Sequence, residues 1–137
     1  GHIINIGSLA GREVYEKGNI YCATKHAVNA ISKAMRIDLN KTGIKVSEIN
    51  PWFTETPILD AEAVTTGAKS QLDREFVNQK TKVYPVEKVV SSVWSAYDSS
   101  RIHHPVGFEA KFASFFMRHL PSLIRGLSKK LFKDSFI

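Results

Sequence analysis

The sequence predicts an α/β fold in which about three parallel strands are flanked by helices. Residues 2–7 form a continuous apolar run of the kind that is buried on both faces of a parallel sheet, and residues 44–49 form a second such run. Between them, residues 21–41 carry apolar side chains at helical spacing. Because strand, helix and strand follow in this order, the segment predicts a right-handed parallel crossover.

The predicted helix over residues 21–41 has two apolar stripes, which indicates that it packs against two neighbours. One stripe has small side chains and is expected to approach the sheet or a functional site closely: Ala23, Ala27, Ala30 and Ala34. The second stripe is bulkier and requires another packing layer: Val28, Ile31, Met35 and Leu39. Gly43 is expected to end the helix in the left-handed conformation.

The second half of the chain predicts further elements of the same class. Residues 51–84 are irregular and polar, which predicts one or two short helices in a mobile lid. A helix is expected to start at Pro85, because apolar residues follow it with the 3.6-residue period. Residues 105–108 predict a third, shorter strand. The length of 137 residues and the hydrophobic content of 43 % suit one core, so we expect a single domain over residues 1–137.

The single cysteine, Cys22, excludes an internal disulfide and is expected to serve only in packing. No signal peptide or long apolar span is present in the sequence. A reducing, cytoplasmic location is therefore expected.

The net charge of +6 belongs mainly to the end of the chain. Residues 1–109 hold 13 basic and 12 acidic side chains, whereas residues 110–137 hold six basic side chains and one acidic side chain. Because the excess of positive charge is confined to one segment, the composition does not predict a nucleic-acid partner.

Residues 110–137 predict a basic, amphipathic helical tail that is interrupted at Pro121. Such a tail could make peripheral contact with an anionic membrane surface. It could equally cover a substrate cleft or a subunit interface. The pattern favours the cleft or interface, because the segment is only marginally amphipathic.

Ser8, Tyr21 and Lys25 have the order and spacing of a proton-transfer site. Tyr21 and Lys25 lie four residues apart on the predicted helix, so their side chains share one face. An ammonium group beside a phenol stabilises the phenolate, and such a tyrosine can exchange a proton near neutral pH. Ser8 follows the first apolar run, at the strand end where open α/β sheets place their ligands.

Three segments together closely resemble the classical short-chain dehydrogenase/reductase family: residues 1–8, which end in Gly7-Ser8, residues 21–27, which contain Tyr21 and Lys25, and residues 44–51, which end in Asn50-Pro51. The likeness covers residues 1–57 strongly and 85–108 more weakly. The glycine-rich turn that holds the cofactor pyrophosphate in this family does not occur in the sequence. The resemblance therefore implies the C-terminal half only of a Rossmann-like doubly wound parallel sheet.

The resemblance implies a role for each residue of the trio. Tyr21 would be the general acid in carbonyl reduction and the general base in alcohol oxidation. Lys25 would stabilise the phenolate and hydrogen-bond the nicotinamide ribose. Ser8 would donate a hydrogen bond to the substrate oxygen.

The loop after the second predicted strand is implied to bind the nicotinamide. Thr56 holds the position of the family's threonine, and together with Pro51 and the backbone near Thr54 it would contact the carboxamide. Trp52 stands where the family has glycine. Its indole could obstruct the nicotinamide pocket or turn outward and line the substrate cleft, and the sequence leaves both open.

The implied function is an NAD(P)-dependent oxidoreductase that interconverts a small-molecule carbonyl and an alcohol. The sequence does not distinguish NAD from NADP, since the residues that contact the ribose 2′ position belong to the other half. The implied partners are a second copy of the chain in a homo-oligomer or a missing N-terminal half. No histidine has metal-ligand spacing, so no metal is expected. The alternative is a non-catalytic remnant acting as a fragment, a pseudoenzyme or an association module, which accounts for the absent glycine-rich turn and for Trp52.

Overall fold

The computed structural model describes residues 1–14, 18–60 and 81–120, together with Val77, Gln79 and Ser122. Three strands form one parallel sheet in the order β1-β2-β3: β1 (His2–Ile6), β2 (Lys45–Pro51) and β3 (His103–Val106). Among the elements whose bounds lie within the described residues, three α-helices flank them: α1 (Asn19–Asp38), α2 (Val86–Tyr97) and α3 (Phe108–His119). Two short 3₁₀-helices, Leu9–Gly11 and Pro57–Asp60, follow β1 and β2. The predicted α/β fold with three parallel strands is confirmed.

The core lies where α2 packs on β2 and β3. Ile49 and Val106 from the sheet join Ala96 from α2 in one buried cluster, and Val89 and Val93 pack against it. The helix predicted from Pro85 is confirmed, with Pro85 as its N-cap. Four apolar residues of its predicted period are nevertheless exposed: Val86, Val90, Trp94 and Tyr97.

The third strand occupies His103–Val106, two residues earlier than the predicted 105–108. Gly107 has a φ of +96°, outside the extended region, so the strand ends before it. Phe108 then begins α3 instead of closing the strand.

The prediction that the first strand is buried on both faces is wrong. The first four residues of β1 are only half-buried, and Ile6 is exposed. β1 stands at the edge of the described sheet and pairs only with β2. β2 lies between β1 and β3 and is buried over residues 46–50. The edge position therefore explains the difference in burial.

The predicted approach of the alanine stripe of α1 to the sheet is also wrong, because Ala23, Ala27, Ala30 and Ala34 are all exposed. The residues of α1 that are buried against the protein are Cys22, Asn29 and Ser32. The sheet presents polar groups to this helix: Asn5 Nδ2 donates to Ser32 Oγ at 2.9 Å, and Asn29 Nδ2 donates to Glu48 Oε2 at 3.0 Å. Because buried polar groups need hydrogen-bond partners, α1 packs its polar face against the sheet instead of its alanine stripe.

The ends of α1 differ slightly from the predicted 21–41. The helix begins two residues before Tyr21, and Leu39 is its C-cap. Gly43 has the expected left-handed φ of +72°, but it lies in the turn after the helix. Cys22 is a free, buried thiol, so the expected packing role is confirmed.

Two predictions fall largely outside the described residues. The proposed lid over residues 51–84 is described only up to residue 60 and again at Val77, Gln79 and 81–84. The tail over residues 110–137 is described through Leu120 and at Ser122. Within the described ranges, no helix is long and apolar enough to cross a membrane.

His2 is expected to make the stability of the sheet edge depend on pH. Its Nε2 lies 3.0 Å from Ser47 Oγ, and its buried Nδ1 has no hydrogen-bond partner among the described residues. Burial lowers the pKa of His2 below the ordinary 6.5, and the charge of Lys45 lowers it further. The unfolded chain therefore binds more protons below about pH 6.5, so this stability is fully present above that pH and is lost as the pH falls.

The measurement is the urea midpoint at about pH 7.5 and about pH 5, for the natural chain and for His2→Gln. The natural chain should lose more stability on acidification than the variant does. An equal loss in both proteins would contradict this account.

Candidate functional site

The candidate site lies at the carboxyl ends of β1 and β2. Parallel strands end at the same edge of a sheet, and this edge is the usual ligand position in open α/β folds. Gly7 N donates to Ile49 O at 2.8 Å, so the segment after β1 stays beside β2 up to Ser8. The edge is continued by Trp52, whose N donates to Val106 O of β3 at 3.2 Å.

Ser8 is the N-cap of the 3₁₀-helix that follows β1. Its backbone is extended, and its Oγ accepts a hydrogen bond from Ala10 N at 3.2 Å. Its carbonyl accepts from Gly11 N at 3.0 Å and from Asn50 Nδ2 at 3.4 Å. The local turn and strand β2 therefore both fix the backbone of Ser8. The residue itself is only half-buried.

Tyr21 and Lys25 lie on one face of the first turns of α1. Lys25 Nζ is 5.7 Å from the centroid of the Tyr21 ring and donates to Ile6 O at 3.2 Å. Ile6 is the last residue of β1, two positions before Ser8. The helix thus places Lys25 beside Tyr21 and anchors its ammonium group to the strand end that carries the serine.

The 3₁₀-helix after β1 packs directly against α1. A Cβ atom on Gly11 would lie 2.5 Å from the backbone oxygen of Lys25. Only glycine permits this approach of two backbones. The turn that holds Ser8 and the turn that holds Lys25 are therefore in backbone contact.

A buried carboxylate that the sequence analysis missed lies behind these residues. Glu48 is fully buried on β2, and its Oε2 lies 3.0 Å from both Asn29 Nδ2 of α1 and His103 Nδ1 of β3. Its Oε1 has no hydrogen-bond partner among the described residues. A signal was present in the sequence, because an acidic residue inside an apolar strand requires buried polar partners.

The loop after β2 is arranged by short-range hydrogen bonds. Pro51 is the last residue of the strand, and Thr54 Oγ1 donates to Trp52 O at 2.9 Å. Thr56 Oγ1 donates to Thr54 O at the longer distance of 3.4 Å. Both hydroxyl groups therefore lie on the loop that continues from the candidate site.

Trp52 contacts the segment that precedes α2. Its Nε1 donates to Thr81 Oγ1 at 2.9 Å, and its ring meets Phe53 edge-on at 5.5 Å between centroids. The indole is half-buried. The N–H group of the indole is thus hydrogen-bonded to Thr81.

Tyr84 joins the loop after β2 to α3 and was not identified from the sequence. Its backbone bridges Thr54, and its hydroxyl donates to Glu109 Oε2 at 2.6 Å and accepts from Phe108 N at 3.0 Å. The hydrogen bond to Glu109 raises the pKa of Tyr84 above the ordinary 10.0. Tyr84 therefore fastens the start of α3 to the neighbourhood of the site.

A phenol, an ammonium group and three hydroxyl groups thus lie on α1 and on the segments after β1 and β2. These groups can bind an oxygen-rich ligand and move a proton to or from one of its oxygens. In the described part of the chain, no group of three His, Cys, Asp or Glu residues could hold a metal ion.

The N-terminal half of the chain matches a known family. Residues 1–66 match the family model described as short chain dehydrogenase. An oxidoreductase of Staphylococcus saprophyticus is 41 % identical over 73 residues, which are 53 % of this chain and 30 % of that protein. A farnesol dehydrogenase of Aedes aegypti is 40 % identical over 83 residues, which are 58 % of this chain and 34 % of that protein. The chain thus spans about a third of the length of these relatives.

Solved structures match more than three quarters of the chain. A short-chain dehydrogenase from Burkholderia cenocepacia in complex with NADP aligns with a TM-score of 0.73 over 93 % of this chain and 47 % of its own, at 16 % identity. A short-chain dehydrogenase from Mycobacterium paratuberculosis bound to NAD aligns with a TM-score of 0.59 over 77 % of this chain and 43 % of its own, at 26 % identity.

Proposed function

This chain belongs to the short-chain dehydrogenase/reductase family, and we propose that it carries the proton-transfer site of an NAD(P)-dependent oxidoreductase. The reaction interconverts a small-molecule carbonyl and an alcohol. One observation supports this proposal above the others: Lys25 Nζ lies beside the Tyr21 ring and is anchored to Ile6 O at the strand end before Ser8.

Tyr21 is the proton donor and acceptor in this proposal. In reduction its hydroxyl gives a proton to the carbonyl oxygen, and in oxidation its phenolate takes the proton from the alcohol. Lys25 stabilises the phenolate by its positive charge. Its hydrogen bond to Ile6 O positions that charge beside the Tyr21 ring.

Ser8 is the group that holds the reacting oxygen. Its Oγ already accepts a hydrogen bond from Ala10 N, which leaves the hydroxyl proton free to be donated. A donor fixed in this way stabilises the negative charge that develops on the substrate oxygen. Asn50 contributes indirectly, because its side chain donates to the Ser8 carbonyl.

The residues present suit the nicotinamide end of NAD or NADP. When bound, this cofactor supplies the hydride that is added to the carbonyl carbon. Tyr21 and Lys25 would hold the ribose hydroxyl groups, since a phenol and an ammonium group are suitable partners for them. Pro51, Thr54 and Thr56 would hold the carboxamide from the other side of the site. The long 3.4 Å bond of Thr56 Oγ1 leaves that hydroxyl available for exchange to a ligand.

Trp52 is proposed to line the substrate side of the site. The hydrogen bond from its Nε1 to Thr81 favours the outward orientation of the indole over obstruction of the nicotinamide pocket. An indole wall suits substrates with an apolar part next to the reacting carbonyl.

The proposal can be tested by restoring a nucleotide-binding segment. This chain would be fused to the N-terminal segment of the Staphylococcus saprophyticus relative and compared with the unfused chain. The fusion should increase NADH or NADPH fluorescence saturably and should oxidise the cofactor when a panel of aldehydes and ketones is added. A folded fusion that does not bind either nucleotide would overturn the proposal. Cofactor binding without oxidation by any carbonyl would favour the non-catalytic association module.

A further inference from the structure

α3 presents a stripe of exposed aromatic side chains. Phe108, Phe112 and Phe115 are 72 %, 49 % and 61 % exposed. They lie at helical positions i, i+4 and i+7, so they share one face. The centroids of the Phe108 and Phe112 rings are 6.1 Å apart, which makes the stripe continuous. Leu120, the residue that follows the helix, is also exposed.

The opposite face of the helix attaches α3 to the protein. Ala110 and Ser114 are buried on that side. Tyr84 fastens the first turn through its bonds to Glu109 and to the Phe108 backbone. The rings are therefore not needed to hold the helix, and a run of exposed phenylalanines of this kind marks an interaction surface.

The exposed lysine and arginine side chains of α3 add positive charge beside the stripe. Lys111 and Arg118 are exposed, and their seven-residue spacing places both on the same flank of the rings. The one acidic residue in the α3 sequence, Glu109, accepts the hydrogen bond of Tyr84 on the protein side. The outer face of α3 thus combines aromatic rings with cations that no acid of the same helix neutralises.

The sequence beyond α3 continues this composition. Residues 121–137 add four basic side chains against one acidic side chain: Arg125, Lys129, Lys130 and Lys133 against Asp134. Leucine, isoleucine and phenylalanine residues are interspersed among them. The sequence therefore becomes more basic towards its end.

We propose that α3 docks this protein on an anionic lipid surface. The phenylalanine rings would enter the boundary between head groups and acyl chains, while Lys111 and Arg118 reach the lipid phosphates. The positive charge of this face favours an anionic lipid surface over a second copy of the chain. Two copies meeting through this face would bring two positive surfaces together. The inference concerns lipid binding and does not rest on the proposed oxidoreductase activity.

Vesicle flotation with the full 137-residue chain tests the proposal. The chain should float with vesicles that contain phosphatidylglycerol and much less with vesicles of phosphatidylcholine alone. Binding should weaken as salt is raised, since salt screens charges at the surface. Binding to neither vesicle type, or equal binding to both, would overturn the proposal.

Variants distinguish α3 from the rest of the surface. Phe108→Ser combined with Phe115→Ser should abolish flotation, and Lys111→Gln combined with Arg118→Gln should weaken binding roughly 30-fold. Trp94→Ser is the matched control, because Trp94 is 71 % exposed but lies on α2. Circular dichroism checks that each variant is folded.

Two further results would overturn the role of α3. The first is full lipid binding by the folded phenylalanine variant, which would assign the binding to residues 121–137. The second is a dimer in light scattering that the phenylalanine variant converts to a monomer, without vesicle binding by either protein. That result would identify a second copy of the chain as the occupant of the surface.

Discussion

Replacing Tyr21 by phenylalanine is expected to lower turnover about 10²- to 10⁴-fold in the fused, nucleotide-binding form of this protein. The substitution removes the one hydroxyl group that is proposed to exchange a proton with the substrate, and it keeps the ring that Lys25 Nζ approaches to 5.7 Å. Cofactor binding should weaken much less than turnover, because the substitution removes only one of the proposed contacts to the ribose and Lys25 keeps the other. The measurements are kcat for carbonyl reduction and the Kd of NADPH from nicotinamide fluorescence.

Tyr97→Phe is the matched control for this experiment. Tyr97 lies on α2 and also has a lysine over its ring, with Lys45 Nζ at 5.6 Å from the centroid. Because this pair lies outside the candidate site, replacing its tyrosine by phenylalanine should not lower turnover. Retained turnover in Tyr21→Phe, or an equal loss in both variants, would remove Tyr21 from its proposed role.

Gly11→Ala is expected to lower the free energy of unfolding by about 1–3 kcal/mol. The added Cβ would lie 2.5 Å from the backbone oxygen of Lys25, an atom inside α1 that cannot move without the helix. The 3₁₀-helix after β1 would therefore have to separate from α1. Urea unfolding of the purified chain measures the effect.

Gly1→Ala is the corresponding control, because no atom lies within 4 Å of a Cβ at that position. Its stability should match that of the natural chain. In the fused protein, Gly11→Ala should also reduce turnover, because it moves the Ser8 turn relative to Lys25. Equal stability of the two alanine variants would show that the contact between the two backbones is not tight.

The sequence predicted the strands and helices that depend on local patterns. The two strands around α1 and the helix after Pro85 lie within a few residues of their predicted places. The four-residue spacing of Tyr21 and Lys25 was sufficient to place both side chains on one helix face, because the geometry of a helix is the same in every protein.

Burial could not be predicted as well. The alanines at positions 23, 27, 30 and 34 satisfied the pattern of a packed stripe, but the sheet beneath α1 carries Asn5 and Glu48. These polar groups need hydrogen-bond partners when buried, and Asn29 and Ser32 supply them. Which face of a helix is buried therefore depends on side chains of the neighbouring element, which a helical pattern does not contain.

The sequence by itself determined the α/β class, the strand order along the chain and the residue types of a proton-transfer site. Only the tertiary structure decided how those residues are held. Lys25 is anchored on Ile6 O, Glu48 joins three elements, and Tyr84 fastens α3 to the loop after β2. Each of these contacts joins residues at least 19 positions apart. A periodic pattern of neighbouring residues does not predict such contacts, because the partners are far apart in the sequence and meet only when the chain folds.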